Sequence, residues 1–219
     1  MRDVERRKLE KFERQKAFFE DNAADFPPDT PGRVVASLNT SIIDEMNSLA
    51  GDQSSEFSAS KQATDDKDDL MEDLVILLKN ISRAASAFED EVPGSDEMFR
   101  LPRNRSEANM LTTARAFIED AQPFEATFIT YGIPADFIQQ LTDFVEGIEA
   151  AKLRSDSKSE QRASATAGLI DAAKRGMANS KRADAIVRIK YHDNPQKLAA
   201  WTVASHLERP PKKSDTPSP

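Results

Sequence analysis

The sequence has no cysteine, and its 219 residues include only two histidines, one tryptophan and seven glycines. Without cysteine there are no disulfides, thiol nucleophiles or thiolate zinc sites, and the composition suits a reducing compartment such as the cytoplasm. The two histidines, His192 and His206, form no Glu-x-x-His pair of the kind that builds di-metal centres in helical bundles. Few glycines, and no period-two alternation of Val, Ile, Thr and Tyr, argue against a β-rich fold. No stretch approaches the ~20 apolar residues of a membrane-spanning helix. The opening MRDVERRKLEKFERQ is charged and lacks the apolar run of a signal peptide or membrane anchor. Phosphate-cradling glycine loops, the dinucleotide fingerprint and the Gly-x-Ser-x-Gly elbow are also missing. A triad of a serine with His206 and Glu208 fails on spacing, because residues two apart on a helix point in different directions. No catalytic, cofactor-binding or metal-binding residue is therefore assigned, and enzymatic activity is not the expected role.

What is present is charge, at 31% of residues, spread over long apolar periodicities that amount to 38% hydrophobic residues. Helices with one apolar stripe and a wide solvated face give that balance. The expected fold is all-α: an up-down antiparallel bundle of about six long helices plus a short C-terminal helix. It forms a single domain over residues 1–209, with a disordered, apolar-free tail at 210–219.

The first helix is expected over residues 2–24, with Phe12, Phe19 and Phe26 at heptad spacing beside Val4, Leu9 and Ala23. DFPPDTPGR stops it, and Thr30 caps a second helix that has Pro31 in its first turn. That helix carries Val34, Val35, Leu38, Ile42, Met46 and Leu49 on its apolar side. The polar residues 51–63 read as a hairpin tip, after which Thr64 heads a third helix; the alternative, which no proline forbids, is one continuous long helix with a solvated middle, and the same choice holds for 153–161. There Asp65, Asp66, Asp68 and Asp69 would oppose the positive helix end. A fourth helix starts at Ser106 and bends at Pro123, and YGIPADF is a stop and restart through Gly132 and Pro134. Two further helices follow, separated by a second polar stretch at 153–161; the latter carries Leu169, Ile170, Met177, Ile186 and Ile189. Segments 31–90 and 134–190 thus look like two related hairpins. Pro195 opens the short last helix, whose Trp201 should anchor it to the bundle with its indole N–H on one acceptor.

Three features suggest where a function would sit. The stretch DEMFRLPRNRSEANML, residues 96–111, reads as a corner in which Phe99 and Leu101 plug the bundle end and Ser106 caps the next helix. Its Arg100, Arg103 and Arg105 are expected to neutralise Asp90, Glu91, Asp96 and Glu97 or nearby helix carbonyls. The alternative is that they bind an anion or a partner, together with Arg115, Tyr131 or the segment of His192, Trp201 and His206. Charge is also uneven: residues 1–99 hold 12 Lys and Arg against 23 Asp and Glu, and residues 152–219 hold 14 against 7. Acidic and basic helices that attract each other, within the fold or across a self-associated assembly, account for this. Weak nucleic-acid binding by the basic C-terminal third is a further alternative, which the acidic half and the lack of a recognition motif disfavour.

FRLPRNRSEANMLTTARAF, YGIPADF and ADAIVRIKYHDNPQKLAAWTVASHLER resemble motifs of a family of uncharacterised all-helical bacterial proteins of similar length. The resemblance implies an all-helical fold and a bacterial cytoplasmic setting, and it carries over no functional residue. Self-association or a protein partner is the function expected from the sequence, with no membrane and no cofactor.

Overall fold

Prolines, and the left-handed Gly94 and Gly132, punctuate this chain, and the helices run between them. In a computed structural model that describes residues 1–208, helix α1 spans Asp3–Asp21 and α2 runs unbroken over Pro31–Ala87. A single turn, α3, covers Ser95–Met98, followed by α4 (Glu107–Ala121) and α5 (Glu125–Thr130). Helix α6 is again continuous over Phe137–Lys190, and α7 covers Pro195–Ala204. The fold is all-α, with no strand among the described residues. The expected disordered tail lies outside the described residues.

The turn chemistry acts where it was expected. Thr30 Oγ1 accepts the Arg33 amide at 3.3 Å at the start of α2, and Ser106 Oγ accepts the Asn109 amide at 3.4 Å at the start of α4. A one-turn 3-10 helix at Gln122–Phe124 contains Pro123 and separates α4 from α5. Gly132 has φ +90°. Its amide and that of Ile133 close back onto the Ile129 and Phe128 carbonyls, each at 3.0 Å, which ends α5.

Two expectations fail together. The polar residues 51–63 and 153–161 are not hairpin tips; both lie inside helices, 57 residues long for α2 and 54 for α6. No proline occurs between Pro31 and Pro93 or between Pro134 and Pro195, so every residue there can donate its helical hydrogen bond. The two supposed hairpins, 31–90 and 134–190, are thus each dominated by one long helix. Thr64 accordingly caps nothing: its hydroxyl donates back to the Ser60 carbonyl at 3.0 Å. Asp65, Asp66, Asp68 and Asp69 are mid-helix residues, too far from either end for the dipole account to apply.

The chain divides into two compact units, one of Met1–Glu56 with the chain from Glu160 onward, the other Phe57–Ser159. In the first, α1 packs on the leading part of α2 and the trailing part of α6. Leu9, Phe12, Ile42, Ile43, Met46, Leu169, Ala172 and Ala173 make one apolar cluster. Phe18, Phe19, Phe26, Val35, Val187, Tyr191 and Trp201 make a second. Three buried amide side chains tie the helices pairwise. Asn39 Nδ2 donates to the Phe12 carbonyl at 2.7 Å, Asn179 Nδ2 to the Val35 carbonyl at 3.0 Å, and Gln15 Nε2 to Ser180 Oγ at 2.8 Å. Each bond fits only one longitudinal setting of its helix pair. Where α6 passes α1, Gly176 leaves room for the fully buried Phe12 ring.

In the second unit, Leu74, Leu77, Leu78, Ile81, Ala85 and Phe88 of α2 pack against Met110, Leu111, Ala114 and Phe117 of α4 and Phe137, Leu141, Val145 and Ile148 of α6. Burying each such Leu, Ile or Phe contributes ~1.5–3 kcal/mol. Phe99 is fully buried, edge-on to Phe117 at 5.2 Å and to Phe128 at 5.0 Å, and it plugs the corner between α3 and α4 as expected. Within this unit the polar part of the α2–α6 pairing is lined with hydroxyls: Ser60 lies 3.4 Å from Ser155 and 3.2 Å from Ser159, and Thr64 3.2 Å from Ser155.

Candidate functional site

The residues singled out in the sequence are divided between the two units. Arg100, Arg103, Arg105, Arg115 and Tyr131 belong to the second unit, and His192, Trp201 and His206 to the first. Trp201 is fully buried, with Phe18 at 5.1 Å and Phe19 at 5.7 Å, and its indole N–H donates to Asp184 Oδ1 at 2.9 Å. It anchors α7, as expected. Asp184 also takes Arg188 Nε at 2.9 Å, and these partners hold its carboxyl below the usual range against the opposing effect of burial. His192 is exposed beside Asp193, with Nε2 2.7 Å from Oδ2. The His206 carbonyl accepts from Arg14 at 2.7 Å, and Arg14 also faces Glu208 at 3.6 Å. Burial pushes the Lys11 amine down.

At the corner, the bland explanation of the arginines fails. Arg100, Arg103 and Arg105 are exposed and make no ion pair among the described residues. The acids they were expected to neutralise look elsewhere or to solvent. Glu91 accepts the Tyr131 hydroxyl at 2.6 Å, which raises the Tyr131 pKa. The turn after α2 is held by Glu89, which was not anticipated. It takes the Gly94 amide at 2.8 Å, the Asp96 amide at 2.9 Å and the Ser95 hydroxyl at 2.9 Å. Those hydrogen bonds, the Gly94 amide foremost, lower its pKa to about 2. Arg115 is engaged by Glu149.

A feature of the first unit is more informative. Val34, Leu38, Ile170 and Ile189 follow the apolar periodicity of α2 and α6, yet the structure exposes all four. Val34 is 62% and Ile189 75% accessible. The buried face is narrower than the apolar one: Val35, Asn39, Ile42 and Met46 point inward on α2, and Ala183 and Val187 on α6. Val34 lines an open groove of about 540 Å³ between the start of α2 and the end of α6, together with Asp29, Pro31, Val35, Arg182, Ala185 and Ile186; Ile189 lies one turn beyond Ile186 on α6.

The chain matches no family model, no curated protein and no solved structure.

Any reading of this chain therefore rests on its own geometry. Asp29 stands on one wall of the groove in the left-handed conformation, φ 66°, which Asp tolerates better than most residues. Arg182 stands on the other wall. Neither makes an ion pair among the described residues. Among the described residues no group of three or more Asp, Glu or His is placed to hold a metal ion, and no helix is long and apolar enough to cross a membrane.

Proposed function

We propose that this protein acts as a non-catalytic helical scaffold, through self-association or by holding a protein partner. The supporting observation is the apolar face that the folded chain leaves uncovered, with Val34 and Ile189 projecting beside a groove floored by Val35 and Ile186. Contiguous exposed apolar surface of this kind marks interaction sites. Two helices of 57 and 54 residues supply a long, regular support for it. The cysteine-free composition suits a reducing setting, and a cytoplasmic location belongs to the same proposal. The test is light scattering coupled to size exclusion, together with pull-down by the tagged full chain. A strictly monomeric protein that retains no partner would oppose the reading.

A second reading is favoured by one observation, the three exposed arginines Arg100, Arg103 and Arg105, which make no ion pair among the described residues. Guanidinium forks match carboxylate and phosphate, so this corner would bind an anion or an acidic segment. Arg115 and Tyr131 drop out, being held by Glu149 and Glu91. A thermal-shift screen with inorganic phosphate, citrate and nucleotides, repeated on Arg100→Ala/Arg103→Ala/Arg105→Ala, decides it; no shift with any of them disposes of the idea.

A further inference from the structure

The groove at the start of α2 carries opposite charges on its two walls, Asp29 beside α2 and Arg182 on α6, on either side of an apolar floor. Both charges are without ion pairs among the described residues. A surface with this pattern is its own complement. A two-fold axis parallel to the antiparallel α2–α6 pair would lay α2 of one copy along α6 of the other, and Asp29 of each copy then meets Arg182 of its mate. Val34 of each copy then faces Ile186 of its mate.

We infer that the face formed by Pro31, Val34, Ile186 and Ile189 is the interface of a two-fold homodimer, held in register by reciprocal Asp29–Arg182 pairs. The inference rests on the self-association arm of the proposed function and names its surface and its partner, a second copy of this chain. An isologous contact requires one patch to serve both sides, and this patch has the needed asymmetry of charge within a single copy. Desolvated by the apolar residues between them, the pairs hold register, while most of the association energy comes from burying Val34 and Ile189. The helices would meet antiparallel across the interface, the packing of a four-helix bundle.

The charge pattern gives a test that loss of folding cannot imitate. Asp29→Arg faces Arg182 with arginine in a dimer of itself, and Arg182→Glu faces Asp29 with glutamate, so each variant alone should dimerise at least about tenfold more weakly than wild type. Mixed one to one, they restore two attractive pairs, and a mixed dimer should form with affinity near that of wild type. Sedimentation equilibrium on the full chain reads this out, with circular dichroism confirming that each variant is helical. Val34→Glu should weaken self-association by itself, and no mixing partner should rescue it. If wild type dimerises but neither single variant weakens it, or the mixture is not rescued, this interface is wrong while self-association stands. If wild type is monomeric throughout a dilution series, the interface and the self-association arm both fall.

Discussion

Gly51 and Gly176 both sit inside long helices, where glycine costs up to ~1 kcal/mol relative to alanine, but their surroundings differ. Nothing lies within 4 Å of where a Cβ would stand at Gly51, whereas at Gly176 it would fall 2.4 Å from the Phe12 ring. Phe12 is fully buried and cannot swing away, and overpacking of this kind costs ~1–3 kcal/mol. Gly51→Ala should therefore raise the denaturation midpoint and Gly176→Ala lower it, as urea titration would show; a gain at Gly176 would mean that α1 is not packed on α6. Glu89 allows a sharper test because its carboxylate is held by two amides and a hydroxyl. Its pKa falls from 4.5 to about 2, so the native state prefers the ionised form. The contribution is complete above pH 4.5, where the unfolded group is also ionised, and disappears as pH falls toward about 2. The stability difference between wild type and Glu89→Gln should shrink steadily through that window and be flat above it. A difference that persists at pH 2 would show that the carboxylate is not what closes the turn.

Helix boundaries in this chain are legible wherever a proline, glycine or capping hydroxyl enforces one. Thr30, Ser106, Gly132 and Pro195 were read from residue type alone, because each acts through its own backbone geometry. The polar stretches at 51–63 and 153–161 misled because polarity signals exposure, and exposure was taken for a turn. Helix continuity depends on the absence of a breaker and on a neighbour to pair with, and the second condition cannot be seen in one stretch. Hydroxyl contacts such as Ser60–Ser155 join residues 95 apart, and Gln53 reaches Thr166 at 2.6 Å across 113 residues. Periodicity likewise marked Val34 and Ile189 as apolar-face residues without telling which part of that face the fold would cover. The arginines of the corner were legible as unusual, but that they make no ion pair among the described residues was not, since nearness in sequence to Asp90 and Glu97 is not nearness in space. Lys61→Pro separates the two accounts of the polar stretch. Lys61 is exposed and mid-helix in α2, so proline there should cost ~3 kcal/mol or more and lower helical ellipticity, where a hairpin tip would accept it with little change.

The distribution of apolar burial along α2 and α6 bears on how the protein unfolds. From residue 51 to 64 only Ala63 is buried, and from 152 to 164 no residue is. Each unit has its own cluster of large aromatics, centred on Trp201 in one and on Phe128 in the other. Helix hydrogen bonds run through the polar stretches, but with so little apolar burial beside them they add little net stability. The two units should thus melt as separate cooperative blocks. The single tryptophan makes this measurable, because Trp201 lies in the first unit while far-ultraviolet circular dichroism sees both. Phe128→Ala empties the centre of the second cluster, where Phe88, Phe99 and Phe137 pack on it, at a cost of ~3–5 kcal/mol. In that variant the dichroism transition should split or broaden toward lower denaturant, while the tryptophan fluorescence transition keeps the wild-type midpoint. If the two probes instead shift together, the long helices transmit the loss across the polar stretch, and hydroxyl pairs such as Ser60–Ser155 and Gln53–Thr166 bind the chain into a single folding unit.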